Sequence, residues 1–353
     1  MAFFSYSWLG TNNNGKTNNV LVGLDVVILI SVVIYIGLRE PFAPEFGDSY
    51  SYSSSILHYW GTPFYWDWGE KSPISSNLIR YFGCNNYSPN DFYLLISAIY
   101  FGGIWYACRK LFPKDSLAAF LVYLAAFSTF SYSTNGIRAG VAASSFLVAI
   151  TFNDYGRRNN LLLCFLFLLI SIGFHHSMRL TVVAFVICML IRKPQVYTAF
   201  WLVCLLIAAL NITYFQELFV DLGEDMEDEK IIAYLTETSL TSKMGITGFR
   251  YDFVLYSAIP ILIGWVMMYF KEVKSQSFVF LLNLYTLINA IWLLCIQAAF
   301  TNRIAYLSWS MYPIVLIYPF LNSSWGREHY NTFKVVAYGH LAFTLFMHIV
   351  YYG

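Results

Sequence analysis

Charge is scarce in this sequence. Only 12% of its 353 residues are Asp, Glu, Lys or Arg, about half the share found in an ordinary soluble domain. With 58% apolar residues and a mean hydropathy of +0.56, a water-soluble globule is excluded. Cysteine shows no pattern either. Of the six, Cys108, Cys164, Cys188, Cys204 and Cys295 fall inside apolar runs and Cys84 stands alone outside them, which excludes a disulfide framework and a Cys-x-x-Cys metal site. Also missing are a P-loop, a Gly-x-Gly-x-x-Gly turn, a Gly-x-Ser-x-Gly elbow and a His-Glu-x-x-His pair, so nucleotide-driven chemistry and zinc hydrolysis have no frame. No cofactor, metal or nucleic-acid partner is expected.

What the chain has is long apolar runs. Val20 to Leu38, Leu161 to Gly173, Thr181 to Ile191 and Tyr197 to Leu210 approach or reach the roughly 20 residues that cross a bilayer as helix. Eleven spans are predicted, near 20–38, 91–108, 116–132, 138–153, 160–174, 178–191, 196–214, 252–270, 277–298, 304–320 and 335–351. The expected fold class is therefore all-α, a polytopic integral membrane protein forming one transmembrane domain over 1–353 within the lipid bilayer. The polar, Asn-rich start (1–19) reads as a tail and not as a cleavable signal, because the run from Val20 is long enough to remain as a span.

With the N-terminus inside, the connections on one side carry Lys16, Arg109, Lys110, Lys114, Arg157, Arg158, Arg192, Lys193, Lys271, Lys274, Arg327 and Lys334, which is 12 of the 21 basic residues. The other side takes 15 of the 20 acids. The positive-inside rule selects this orientation. Two outer segments, 39–90 and 215–251, are too long to be turns, and loops of that length usually carry function or are disordered. The first is dense in aromatics, including Phe46, Tyr50, Tyr52, Tyr59, Trp60, Phe64, Tyr65, Trp66, Trp68, Tyr81 and Tyr87, with Gly61 and Pro63 dividing two short helices. Such a segment serves either as a carbohydrate platform or as an interfacial aromatic belt.

Charged residues at the outer span ends are the second signal. Arg138, Arg179, Arg250 and Arg303 all sit there, against the topological bias, and an arginine within a membrane needs compensation. A local carboxylate such as Asp252 supplies it, or an anionic ligand whose phosphate geometry matches guanidinium forks. His175 and His176 end the fifth span, and a histidine can take a proton near neutral pH. Adjacent helical residues diverge by about 100°, so His175 is expected to act, one helical turn from Arg179, with His176 as a structural neighbour. Asp48 is the best carboxylate of the first outer loop for a second acid–base role. The run Glu224, Asp225, Glu227, Asp228, Glu229 lacks EF-hand spacing and reads as a solvated loop.

Ser133-Thr134-Asn135-Gly136-Ile137-Arg138-Ala139-Gly140-Val141-Ala142, followed by Gly173-Phe174-His175-His176-Ser177, resembles the EpsG family of Wzy-like polysaccharide polymerases, with its Arg-x-Gly-x-Ala and Phe-His-x-Ser patterns. Gly248-Phe249-Arg250-Tyr251-Asp252-Phe253 and Asn302-Arg303 with Tyr306 are similar to two further blocks of that family. Arg179 departs from it, standing where an apolar residue is usual. The resemblance implies a bacterial inner-membrane glycosyltransferase of GT-C-like multi-span architecture, acting on undecaprenyl-pyrophosphate-linked oligosaccharides on the extracytoplasmic face, with a chain-length regulator as a further partner. In the implied reaction a sugar hydroxyl of one lipid-linked repeat attacks the anomeric carbon of the growing chain with inversion. His175 or Asp48 is the base, Arg138, Arg250, Arg303 and Asn302 bind the pyrophosphate, and Asp252 orients Arg250. A flippase for lipid-linked sugars, an O-antigen ligase and a membrane acyltransferase are the competing readings.

Overall fold

A computed structural model of the chain describes residues 23–42, 47–153, 158–212, 214, 248–298, 301–322 and 329–352. The expected tail 1–19, the acidic run 224–229 and nearly all of the second outer segment lie outside these. Every regular element among the described residues is a helix. In order they are α1 Leu24–Gly37, α2 Gly47–His58, α3 Pro73–Cys84, α4 Pro89–Leu111, α5 Ser116–Leu124, α6 Phe127–Thr134, α7 Ile137–Thr151, α8 Arg158–Phe174, α9 Met178–Leu190, α10 Pro194–Ala209, α11 Tyr251–Phe270, α12 Gln276–Leu294, α13 Thr301–Trp309, α14 Tyr312–Leu321 and α15 His329–Tyr352. Local chemistry sets several starts. Pro73, Pro89 and Pro194 occupy first helical positions, where a missing N–H costs nothing, and Ser88 and Asp91 form a reciprocal capping box on α4.

Among the described residues, fewer than the eleven expected stretches are long and apolar enough by themselves to cross a membrane. Four described stretches are long and apolar enough to cross a membrane: Pro89–Leu111, Tyr251–Phe270, Gln276–Leu294 and Thr301–Leu321. The span expected at 116–132 is instead two helices, α5 and α6, bent by 70°, and counting them as one crossing makes five. The Thr129 hydroxyl donates to the Tyr123 carbonyl at 2.7 Å, satisfying at the bend a group that a straight helix would have used. Near 310 the helix is interrupted because Pro313 has no N–H for the Trp309 carbonyl. Five further apolar helices, α1, α7, α8, α9 and α10, are shorter than a full crossing. The first outer segment does hold two short helices, α2 and α3, and Gly61 between them adopts φ 73°, which a side chain would resist.

The chain forms two compact units, Met1–Arg179 with Phe320–Gly353, and Leu180–Pro319. In the first, α1 and α4 are antiparallel: Asp25 accepts from the Trp105 indole at 2.9 Å near one end, and Gly37 abuts Leu94 near the other. The α4 and α7 helices run parallel, Gly103 facing Ser144 and Tyr106 facing Phe152. The α7–α8 pair is an antiparallel hairpin, tied by Ser171 Oγ donating to the Ala142 carbonyl at 2.7 Å and by stacked Phe152 and Phe167 rings. These registers place Arg39, α2, α3, the starts of α4 and α7 and the end of α8 together, with Arg109 and Lys110 at the opposite end.

In the second unit α10 is antiparallel to α11, through Gln195–Tyr269 at 3.0 Å and Thr198–Trp265 at 2.8 Å. It is parallel to α12, through the Trp201 indole on Asn289 at 2.8 Å. The same Asn289 amide donates to Ser308 of α13 at 3.0 Å. Such a buried side chain, bonded at both its oxygen and its nitrogen, fixes register, and leaving its partners unsatisfied would cost about 1–3 kcal/mol. Trp309 donates to Ser257 Oγ at 2.8 Å. Both α11, through Tyr285 on the Ser257 carbonyl and Gly264 against Leu282, and the α13–α14 stretch, through Asn289 on Ser308 and Phe278 on Tyr318, run antiparallel to α12, so the two run parallel with both starts at one end.

Candidate functional site

The first unit gathers its chemistry at the end defined by the start of α7 and the finish of α8. Arg138 lies four residues before Ala142, and His175 four residues after Ser171. Because the hairpin is antiparallel and these residues touch, Arg138 and His175 stand on the same side of that contact, each about 6 Å beyond it at 1.5 Å per helical residue. The Arg-x-Gly-x-Ala pattern thereby has a physical reading. Gly140 lets α6 approach, since a Cβ there would meet the Tyr132 carbonyl at 2.7 Å, and Ala142 is fully buried where its main-chain carbonyl fixes the register.

Arg138 is half-buried, and its Nε donates to the Tyr52 hydroxyl at 3.1 Å, with the guanidinium 5.3 Å from that ring centre. Among the described residues its Nη atoms make no hydrogen bond or ion pair, so the outer edge of the fork is open. The α7 start has no side-chain cap, and Gly136 leaves first-turn N–H groups pointing the same way. Tyr52 was legible in sequence only as one aromatic among many; its pairing with Arg138 spans 86 residues. Asp48 sits one turn earlier on α2, half-buried.

A buried network anchors α2. Ser49 Oγ donates to the Thr134 carbonyl at 2.7 Å and accepts from Arg39 Nη2 at 3.0 Å. The Arg39 guanidinium lies 4.0 Å from the Tyr93 ring centre, and the Tyr93 hydroxyl donates to the Ser49 carbonyl at 2.6 Å. Burial lowers the Arg39 pKa to about 10, opposed by Tyr93, which still leaves the group charged at neutral pH. Arg39 holds structure and was not among the arginines singled out in the sequence.

The histidines differ from expectation. His175 lies outside any helix, in the turn before α9, so the helical face shared with Arg179 does not form. The two rings stack, 4.9 Å apart and 15° from parallel, where helical geometry would have spread them. His176 is tied to α3: its N–H donates to Ser72 Oγ at 3.2 Å and its Nδ1 lies 3.4 Å from the same oxygen. The His175 Nδ1 is 2.6 Å from Ser177 Oγ and accepts the Ser177 N–H at 3.3 Å, which gives the Phe-His-x-Ser spacing a reason. A backbone donor on Nδ1 assigns the neutral ring's proton to Nε2. Arg179 is exposed in the first turn of α9, and its guanidinium has no bond among the described residues.

The second unit presents a different end. Arg250, buried ahead of α11, grips Asp252 with both edge nitrogens, Nε to Oδ1 at 3.0 Å and Nη2 to Oδ2 at 2.7 Å, and lies 3.7 Å from the Phe253 ring centre. Of the two compensations expected for an outer arginine, this one uses a local carboxylate. Arg250 is seven residues before the Ser257–Trp309 contact and Arg303 six before it on the parallel partner, so both stand at one end of the unit. Arg303 is exposed, and Asn302 Nδ2 donates to the Tyr306 hydroxyl at 3.4 Å. Arg138 and Arg250 thus belong to different units, each with its own cationic end.

Comparison with family models places the chain: the EpsG family model matches residues 24–353, and the protein belongs to that family. Comparison with curated proteins and with solved structures returns no match.

Proposed function

We propose that this EpsG-family chain is a membrane polysaccharide polymerase, joining lipid-linked oligosaccharide repeats at the end of the first unit that carries Arg138 and His175. The observation that carries the reading is the hairpin register, which brings an arginine with an open fork and a histidine to one place. The helices long enough to span a membrane agree with a substrate whose carrier is a polyprenyl lipid. The charge asymmetry favours an extracytoplasmic face for this end.

In the proposed reaction a hydroxyl of the acceptor repeat attacks the anomeric carbon of the donor, and the bond from that carbon to the diphosphate oxygen breaks. The electron pair leaves with the diphosphate, and the fork of Arg138 with the α7 start neutralises it in a partly dry site. The hydroxyl proton passes to Ser177 Oγ as the Ser177 proton passes to His175 Nδ1, for which the 2.6 Å contact is already made. Asp48 is the alternative acceptor of that proton, one turn from the Tyr52 that holds Arg138. Attack opposite the leaving group gives inversion. The test is purified protein supplied with lipid-linked repeat units: a ladder of products supports a polymerase. Transfer of one repeat to a separate acceptor, or vectorial movement without new glycosidic bonds, replaces it with a ligase or a flippase.

A further inference from the structure

Between α2 and α3 the chain presents a second cluster outside the reacting groups. Residues 63–67 form no regular element, and Tyr65, Trp66 and Trp68 are all exposed, Trp68 to 78%. The Trp66 and Trp68 rings lie 5.3 Å apart, tilted by 52°, and form an open wedge. Two carboxylates, Asp67 and Glu70, neighbour them in the chain, each partly exposed.

The segment is held in shape from beneath. Asn77, fully buried, accepts the Asp67 N–H at 2.8 Å and donates to the Asp67 carbonyl at 2.7 Å. Arg80, 4% exposed, lies under the Tyr65 ring at 4.3 Å and reaches Glu70 Oε1 at 3.4 Å and Asp67 Oδ2 at 3.9 Å. Each carboxylate therefore turns one oxygen to the buried guanidinium. The other Glu70 oxygen has no hydrogen bond among the described residues. Two residues beyond Glu70 is Ser72, whose Oγ touches His176. At no more than about 3.6 Å per residue, Glu70 lies within roughly 7 Å of that serine along the chain.

We infer that Trp66, Trp68 and Glu70 form an acceptor-sugar subsite that binds an uncharged or amino-bearing pyranose ring and hands its hydroxyl toward His175. This rests on the polymerase reading and adds the place and charge preference of the acceptor. An aromatic face stacks on the C–H face of a sugar ring, while an open carboxylate oxygen accepts from ring hydroxyls or an ammonium. The charges argue against the two other occupants. A diphosphate would meet two carboxylates and a guanidinium already engaged by them. An anionic lipid surface would meet two carboxylates beside the rings against a single exposed cation of this segment, Lys71.

The test uses the full-length protein in neutral nanodiscs and, as probe, the lipid-free oligosaccharide released by mild acid from the source cell's lipid-linked repeats. Binding to the wild type is expected, at least about tenfold weaker in the W66A/W68A double variant and about threefold to tenfold weaker in E70Q. W66F/W68F, which keeps both rings, is expected to bind within about threefold of the wild type, and W66A/W68A is compared with it at equal thermal stability, so that its loss is not misfolding. In polymer formation the double variant raises KM at least about tenfold with a much smaller change in kcat, as expected for a group that binds substrate and transition state alike. Equal oligosaccharide binding by wild type and double variant overturns the subsite. Unchanged sugar binding with weakened retention on anionic vesicles overturns it too, and assigns the wedge to the membrane surface. Oligosaccharide binding lost in the double variant, in a protein that makes no polymer, keeps the subsite and rejects the polymerase.

Discussion

Arg138 and Arg250 occupy comparable places, each at the start of an apolar helix, yet their guanidinium groups are used differently. Arg250 has its edge closed by Asp252 two residues away and is capped by Phe253, so its charge is answered within one turn of chain. Arg138 is held by the neutral hydroxyl of Tyr52, and among the described residues its Nη edge stays open. A charge answered locally contributes to the shape of a helix start, whereas a charge held in position but unanswered is suited to a ligand. Arg39 and Arg80 are likewise enclosed by tyrosines and hydrogen bonds, whereas the guanidinium of Arg179 is exposed.

Substitutions can break this contrast, and the largest effect is expected at Arg138. R138A should leave the protein in the membrane at normal abundance and lower polymer formation by at least about 100-fold, as removal of an electrostatic clamp does. R138K should recover little, since a point charge cannot reproduce a fork, and normal chain lengths in R138K would place the diphosphate elsewhere. S177A follows, with a loss of about tenfold to 100-fold in kcat from the missing proton path; an unchanged pH–rate profile in that variant would remove Ser177 from the chemistry.

At Arg250 the expected loss is of stability. D252A should cost about 1–3 kcal/mol by leaving a mostly buried guanidinium without its carboxylate, read as lower thermal stability with kcat little changed. Combining it with R250M should recover part of that loss. If the double variant is inactive yet stable, Arg250 belongs with Arg138 after all. The smallest effect is expected for Y52F, which keeps the ring beneath Arg138 and removes the hydroxyl: about threefold to tenfold in kcat/KM, with stability unchanged.

Much of this arrangement could be read from residues alone where the cause is local. The Arg250–Asp252 spacing announces an ion pair, Gly61 and Pro63 announce the gap between α2 and α3, and the Arg138 and His175 motifs announce the ends of neighbouring helices. What sequence could not show depends on contacts far apart in the chain. The run Leu117 to Phe130 holds neither Gly nor Pro, yet it bends at 125–126 because α6 packs back on α7 at Gly140 and Thr129 takes up a carbonyl. The parallel stacking of His175 on His176 follows from a turn fastened by Ser72, more than 100 residues away. Arg39 and Arg80 escape a reading of the sequence because they lie in a long segment between apolar runs, where exposure is the ordinary expectation, and their aromatic enclosures form only on folding.

The most direct test of the central claim is a single gel. Wild type, R138A and H175A are purified, shown to be equally folded, and given the same lipid-linked repeat units. A ladder from the wild type with single unreacted bands from both variants is the expected result, and a ladder of wild-type length from either variant would contradict the joint role of Arg138 and His175 at the end of the α7–α8 hairpin.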